Sequence, residues 1–486
     1  MANVTFPFPF PEHLITLLPE MIVAVMAMAL LLIDVFITKG SKTTAYLAIL
    51  TTIIAAAATV SIQSSEVLVA FYGMFVFDPF AAFSKLLIYA GTAFGMILSL
   101  EYMKKEVNMG EYYILMLFAM LGMMLMVSAN NFIVMYLGLE LMALSVYVLV
   151  AYQRDVLRSN EAALKYFILG ALSSGMLLYG ITFLYGVTGS FNFAEMGVAL
   201  QNTDSNSHAA VMLGLVFLFA GLGFKVSMAP FHMWTPDAYE GAPTPVTAFM
   251  SVAPKVAGFA ILMRIVADLL PAVQHEYETI LSILAVLTII TGNLAAIAQR
   301  NIKRMLAYST IGHVGFIMMG LIAGTAEGFA GILIYMSIYL VMTMGVFAII
   351  ILMRRDGIQG ELLDDFAGLS KVRPGYALAM GLLMFSMAGI PFLGGFWAKY
   401  AVFMAAVEAG HLKLVLFALL FSAIGVFYYL RVVKYIYFDD VRVEFNFVES
   451  RPIQATVIAA AIGVVVIGVY PGPLMTLCRQ ALGGLI

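Results

Sequence analysis

Charge is scarce in this chain. Only 11% of its 486 residues are Asp, Glu, Lys or Arg, less than half of the roughly 25% usual in soluble domains. Hydrophobic residues make up 63% and the mean hydropathy is +1.00, which excludes an ordinary soluble protein and fits a polytopic helical membrane protein. A net charge of −3 gives no basic excess with which to bind nucleic acid. Cysteine is nearly absent: Cys478 is the only one, so an intrachain disulfide or a Cys-ligated iron–sulfur cluster within this chain is excluded. The six histidines are scattered without metal-ligand spacing, so no metal site is expected. No glycine-rich phosphate loop sits in a βαβ unit, so no dinucleotide-binding residues are expected either. Met1 to Glu20 lacks a basic n-region, and no cleaved signal peptide is expected.

What fills the chain is apolar runs of spanning length, near 19–37, 46–62, 80–100, 112–128, 132–152, 162–187, 211–229, 244–268, 278–298, 303–323, 328–353, 376–404, 412–437 and 452–470. Each approaches the ~20 residues that a bilayer requires, the second and fourth being the shortest. The fold class expected is therefore an all-α polytopic membrane protein of about fourteen transmembrane helices. Basic residues follow the odd runs: Lys39 and Lys42; Lys104 and Lys105; Arg154 and Arg158; Arg300, Lys303 and Arg304; Arg354, Arg355, Lys371 and Arg373; Arg442 and Arg451. The loops after runs 2, 4, 6, 8 and 10 carry no Lys or Arg, and the loop after run 12 carries only Lys413. The excess of Lys and Arg on cytoplasmic loops then predicts odd loops inside and both termini outside. The loop after run 7 breaks the pattern, and is expected to be packed within protein.

That loop belongs to the stretch Gly223–Lys255, which puts Lys225 and Lys255 in apolar surroundings with Pro230, Pro236, Pro243 and Pro245 between them. Prolines free backbone carbonyls and lysines need partners or water, so the stretch predicts a broken helix lining a wet, protein-enclosed path. Ser227-Met228-Ala229-Pro230-Phe231 recurs as Ser386-Met387-Ala388-Gly389-Ile390-Pro391-Phe392, and each copy is followed by one of the chain's two tryptophans, Trp234 and Trp397. The copies fall on helices 7 and 12. An odd offset reverses their orientation, which predicts two inverted five-helix repeats, helices 4–8 and 9–13, with broken helices 7 and 12. Within a single membrane domain, 1–486, the expected parts are 1–111 (helices 1–3), 112–268 (first repeat), 278–438 (second repeat) and 452–486 (helix 14).

Six residues could carry chemistry. Glu140 is the only charge in its run, where a carboxylate costs about 2.5–3.5 kcal/mol on insertion scales; it is either a proton-path carboxylate or half of a structural ion pair. Lys225 either snorkels to the interface or exchanges protons under the opposed influences of burial and a nearby carboxylate. Lys255, beside Pro254, and Lys399, after Pro391 and Gly394-Gly395, lie too deep to snorkel. Lys165 follows Glu161 by four residues, and a local pair accounts for it as well as a proton path does. His313 is a proton relay or an interhelical hydrogen-bonding group. Glu140 and Lys225 are expected within ion-pair reach, with helices 5 and 7 side by side. Arg431 and Lys434 read as topology determinants, and Lys85 and Asp34, near run ends, are given no role. The spacing of one Glu, several Lys and one His over helices 5, 6, 7, 8, 10 and 12 suggests a proton wire.

Pro230-Phe231-His232-Met233-Trp234-Thr235-Pro236-Asp237-Ala238-Tyr239-Glu240-Gly241-Ala242-Pro243-Thr244-Pro245, with Leu306-Ala307-Tyr308-Ser309-Thr310-Ile311-Gly312-His313, resembles the signature of the antiporter-like membrane subunits of respiratory complex I. The Tyr239–Pro245 part is most similar to the subunit N family of the bacterial proton-pumping NADH–quinone oxidoreductase. The resemblance covers essentially the whole chain. It implies that Glu140 is the helix 5 glutamate, Lys165 the helix 6 lysine, Lys225 the helix 7 lysine, Lys255 the central helix 8 lysine, His313 the helix 10 histidine and Lys399 the helix 12 lysine near the exit. It implies a subunit of a translocase with no redox chemistry of its own. Flavin (FMN), iron–sulfur clusters, NADH and quinone would be handled by other subunits, and the partners would be other complex I membrane subunits and the bilayer of a bacterial inner membrane. A subunit of a multisubunit cation/proton antiporter shares the helix 7–8 hinge and is the rival expectation; a structural scaffold, with the charges as inter-subunit glue, is the second.

Overall fold

The structure is a computed structural model that describes residues 14–38, 42–63, 67–103, 109–202, 207–354, 360–442 and 450–485. Lys39, Lys104, Lys105 and Arg355, used above for orientation, lie outside the described residues, as do residues 1–13.

Thirteen helices among the described residues are long and apolar enough to cross a membrane. They are α1 (Leu18–Ile33), α2 (Lys42–Ile62), α3 (Pro79–Tyr102), α4 (Met109–Val127), α5 (Phe132–Val150), α6 (Leu157–Thr188), α7 (His208–Val226), α8 (Thr244–Arg264), α9 (Gln274–Ile297), α10 (Ile302–Ala323), α11 (Ala326–Leu352), α13 (Leu412–Phe438) and α14 (Arg451–Val469). The remaining spanning element, α12, is broken into α12a (Pro374–Ala388) and α12b (Gly394–Glu408). A short helix, Trp234–Gly241, continues α7 beyond its own break; we call it α7b. Both breaks fall at the two Pro/Gly motifs. The short second and fourth runs are both helices.

Local chemistry sets the boundaries. Asp78 caps α3 by accepting from the Ala81 amide at 2.7 Å, ahead of Pro79. Asn131 and Asn301 cap α5 and α10 in the same way, each supplying an acceptor to an otherwise orphaned helical N–H. Among the described residues, an antiparallel hairpin of β1 (Leu68–Ala70) and β2 (Phe75–Phe77), with Leu68 opposite Phe77, lies outside the all-helical reading.

Burial sorts the helices into a centre and a rim. Every residue of α8 is buried, and α10 and α11 are nearly as enclosed, whereas α1, α2, α13 and α14 turn most of their surface outward. The arrangement corrects one expectation. Helices α5 and α7 are not principal neighbours; α6 packs along α7 and also against α5. The Pro-rich hinge is only partly enclosed. Ser227, Met228 and Ala229 are buried, while Pro230 and Met233 are exposed.

Candidate functional site

The break in α7 is built from its own freed carbonyls. The chain leaves the helix at Ser227, whose φ of +69° is unusual for a residue with a side chain. The carbonyls that lose their helical partners find others. Trp234 Nε1 donates to the Phe224 carbonyl at 2.9 Å, and Lys255 Nζ donates to the Lys225 carbonyl at 3.4 Å. Lys255 Nζ also donates to Ser227 Oγ, which accepts a second bond from Thr235 Oγ1 at 2.7 Å. From α9, Thr288 Oγ1 accepts the Ala229 amide at 2.9 Å. The ammonium of Lys255 lies 5.2 Å from the Trp234 ring centroid, in cation–π range. The two broken parts and the central lysine thus form one hydrogen-bonded unit.

The break in α12 repeats the device with different parts. Gly389 takes φ of +87°, a conformation cheap only for glycine. Lys399 Nζ, on α12b, donates to the Ala388 carbonyl at 2.8 Å and to Ser422 Oγ of α13 at 2.9 Å. Ser386 Oγ accepts the Gly395 amide at 3.0 Å. The tryptophan here reaches elsewhere: Trp397 Nε1 donates to Gly468 O of α14 at 2.9 Å.

Glu140 and Lys225 do not form the expected ion pair. Ser174 Oγ of α6 donates to Glu140. Lys225 Nζ donates to Tyr147 Oη of α5 at 3.4 Å and lies 5.8 Å from that ring's centroid. The physical reason is the position of α6, which supplies a hydroxyl to the carboxylate where α7 was expected to supply an ammonium. Among the described residues, none of Lys225, Lys255 and Lys399 is in an ion pair; their partners are hydroxyls and carbonyls, together with ring faces. Such partners accept from an ammonium, and the hydroxyls can donate to a neutral amine, so each site accommodates both protonation states.

His313 is buried between two tyrosines, with Nδ1 2.6 Å from Tyr335 Oη and Nε2 2.9 Å from Tyr429 Oη. Ser309 Oγ extends the array, 2.5 Å from Tyr429 Oη. The hydrogen-bonded reading of His313 is realised, and the same array joins α10, α11 and α13. Lys399 Nζ lies 5.2 Å from the Phe316 ring centroid, on the same helix as His313.

Lys165 stands apart from these buried groups. Its side chain is 47% exposed and pairs with Glu161 at 2.7 Å, as a local pair would, but also with Asp237 of α7b at 3.1 Å. Asp237 and Glu240 both bind Arg304 of α10, at 2.7 and 2.9 Å. Glu240 also binds Arg158 of α6 at 2.9 Å, and Arg158 binds Glu361 at 3.4 Å. Glu361 pairs with the buried Lys303 at 2.8 Å. This network ties the hinge to both halves of the chain.

The residues that sequence reasoning missed are mostly hydroxyls: Tyr147, Ser174, Ser227, Tyr335, Ser422 and Tyr429. Neutral side chains in an apolar run give no charge anomaly to notice. Lys85 and Asp34, given no role from sequence, are both engaged. Lys85 is wholly buried, 2.6 Å from the buried Glu20 of α1, and beside it Arg264 pairs with Asp78 at 2.9 Å. Asp34 accepts from Thr44 at 2.6 Å. Arg431 does more than mark topology, donating to the Ile297 and Gln299 carbonyls at the end of α9, both at 2.6 Å.

The family described as NADH:quinone oxidoreductase/Mrp antiporter, TM, matches residues 129–425, the span that holds all six sequence-singled residues. NADH-quinone oxidoreductase subunit N of Thioalkalivibrio sulfidiphilus is 45% identical over 477 residues, covering 98% of this chain and 99% of the relative. This chain belongs to the NADH-quinone oxidoreductase subunit N family. A chain in respiratory complex I from Thermus thermophilus superposes with a TM-score of 0.82 at 32% identity, covering 94% of this chain and 98% of that one. A chain of the Mrp complex from Dietzia sp. shares the fold with a TM-score of 0.84 but only 20% identity, over 97% of each chain. Subunit N relatives therefore match in sequence and length, whereas the Mrp likeness is one of architecture.

Proposed function

We propose that this chain is a proton-translocating membrane subunit of a bacterial NADH:quinone oxidoreductase, with protons carried by Glu140, Lys225, Lys255, His313 and Lys399. Electron transfer from NADH to quinone belongs to other subunits in this reading, with FMN and iron–sulfur clusters held there, and membrane neighbours transmit its energy to this one. The observation that carries the proposal is the repeated construction at the two helix breaks. At each, a buried lysine without a carboxylate partner is held by the carbonyls and hydroxyls that the break provides. A lysine so held gives up or takes a proton without leaving a carboxylate uncompensated, the cost that makes broken buried ion pairs expensive. Because Lys255 hydrogen-bonds the main chain of Lys225, a movement of the α7 break alters the surroundings of both.

The basic-loop end is the cytoplasmic side in this proposal, and both termini face away from it. Helices 4–8 and 9–13 act as inverted repeats, the first half handling uptake at Lys225 and the second half release near Lys399. Lys165, half exposed and paired twice, belongs to the network that positions α7b. The antiporter reading is weaker because the family match at 129–425 covers both kinds of subunit, and beyond it the Mrp likeness is one of fold at 20% identity, against 45% for a subunit N.

The test is Lys255→Ala in the intact complex reconstituted in vesicles. Proton uptake coupled to NADH oxidation is expected to fall to near background, with assembly retained on native gels. Undiminished pumping by an assembled variant removes Lys255 from the path and favours the scaffold reading.

A further inference from the structure

Helices α12a and α14 both start at the basic-loop end, and between them lies an open, apolar groove of about 710 Å³. α14 packs chiefly on α11, and α12a on α13, so the groove lies where neither helix has its main partner. Ala379 and Val457 are buried in its floor, while Leu378 and Ile458 stand exposed on its walls. The small side chains of Ala379 and Ala461 give it depth. Arg373 is the only charged residue among the described residues of the lining, and it sits at the head. Arg451, exposed, opens α14 at the same end.

The groove is one leaflet deep. It opens at Arg373 and is shut at the α12 break. There Trp397 Nε1 donates to the Gly468 carbonyl at 2.9 Å, and a Cβ on Gly468 would collide with the Phe392 carbonyl. Between these points α12a has 15 residues, or about 22 Å at the ~1.5 Å rise of an α-helix. That is half of the ~40–45 Å of a bilayer with its headgroup regions. A transmembrane helix of another subunit would need a seat along the whole ~30 Å hydrocarbon core, and this groove ends at its middle. An acyl chain ends there too.

We propose that the groove seats one acyl chain of an anionic phospholipid from the leaflet at the basic-loop end, with its phosphate held by Arg373 and Arg451. A guanidinium matches a phosphate with parallel N–H donors, and its stem lies along apolar surface while the charged head stays in the interface. Two cations at the head favour a net negative lipid over a zwitterionic one, whose own ammonium already answers its phosphate. The floor helix ends at Ala388, whose carbonyl accepts from Lys399 Nζ, so a seated chain braces one arm of that break.

The test uses the intact complex in nanodiscs of phosphatidylcholine containing a trace of phosphatidylglycerol with a photoactivatable group in its chain. Labelled peptides are expected from α12a and α14. Arg373→Gln and Arg451→Gln are each expected to cut that labelling about fivefold, the equivalent of about 1 kcal/mol for a basic residue near anionic lipid. A phosphatidylcholine probe with the same chain is expected to label weakly and to ignore both substitutions. Ala461→Phe, which fills the groove, is expected to abolish labelling in a complex that still assembles on native gels; the arginine variants decide the matter if it does not assemble. Equal labelling by the two probes, or labelling unchanged by both arginine variants, overturns the proposal and leaves ordinary contact with bulk lipid. Ile462→p-benzoylphenylalanine in the intact complex gives a second reading. Crosslinking to lipid is expected, and crosslinking to another polypeptide would make this face a subunit interface and overturn the lipid seat. None of these readouts depends on proton pumping.

Discussion

At the scale of single residues, the partners of the buried charges matter more than the charges themselves. Glu140 accepts from Ser174 and Lys225 donates to Tyr147, so neither depends on the other for its hydrogen bond. Glu140→Gln retains an acceptor for Ser174, and the complex is therefore expected to assemble at wild-type levels on native gels while pumping falls. That differs from a broken buried ion pair, where the survivor costs about 3–5 kcal/mol. Trp234 gives a contrasting case. Trp234→Phe removes one of the two donors to the Phe224 carbonyl and leaves it the Ser227 amide, so a loss of about 0.5–1.5 kcal/mol, the net worth of one hydrogen bond, is expected, visible as a lower thermal midpoint of the purified complex. The sequence made Glu140, Lys255 and Lys399 conspicuous because charge in an apolar run is costly. It could not display Tyr147 or Ser174, whose hydroxyls acquire meaning only from the helix that faces them.

At the scale of elements, the breaks in α7 and α12 were legible because prolines and glycines mark them directly. The neighbours of each helix were not, because helices of nearly uniform hydrophobicity have no distinct face to read, and the insertion of α6 beside α7 depends on small-residue contacts. Gly221 of α7, for example, leaves no room for a Cβ against Leu177 of α6. The α12 break makes a comparable demand. A Cβ on Gly395 would collide with the Ser386 carbonyl, and Gly389 holds a left-handed φ, which costs other residues roughly 1–2 kcal/mol. Gly395→Ala is expected to force α12a and α12b apart, lowering both the thermal midpoint and the pumping rate. Gly175, on the exposed side of α6 with no atom near its missing Cβ, provides the opposite sign: Gly175→Ala is expected to stabilise by about 0.5–1 kcal/mol through helix propensity alone, with pumping unchanged.

At the scale of the whole molecule, the hinge is tied to α6 and α10 by ion pairs that are neither deeply buried nor fully exposed. Burial raises the Asp237 carboxyl, but hydrogen bonds from Arg304 and Lys165 outweigh it and hold the group below its ordinary value. A carboxyl lowered on folding contributes stability above its unfolded value, near 3.9, and loses it as pH falls through the folded one. The clamp is therefore intact throughout the neutral range and yields only in acid. Asp237→Asn is expected to lower the thermal midpoint at pH 7 modestly, in keeping with about 1 kcal/mol or less for a partly solvated pair, and to make no difference once the pH is well below 4. A midpoint series over pH and salt measures both. This network was half legible. The Lys165–Glu161 pair follows from spacing, whereas Asp237, Arg304 and Glu361 are brought together only by the fold.

The enclosure of α8 bears on how the chain is made. This helix carries Lys255, Arg264 and an internal proline, yet no part of it faces outward, and the elements around it include α3 and α4, made earlier, and α10 and α11, made later. While synthesis has reached only α8, the partners of its lysine and arginine, the α7 break and Asp78, are already made, but the wall that α10 and α11 supply is not, and a charge left near lipid costs a few kcal/mol on insertion scales. The segment that carries the central lysine is thus one that settles poorly on its own, and its enclosure in the bilayer waits for chain that the ribosome has not yet released.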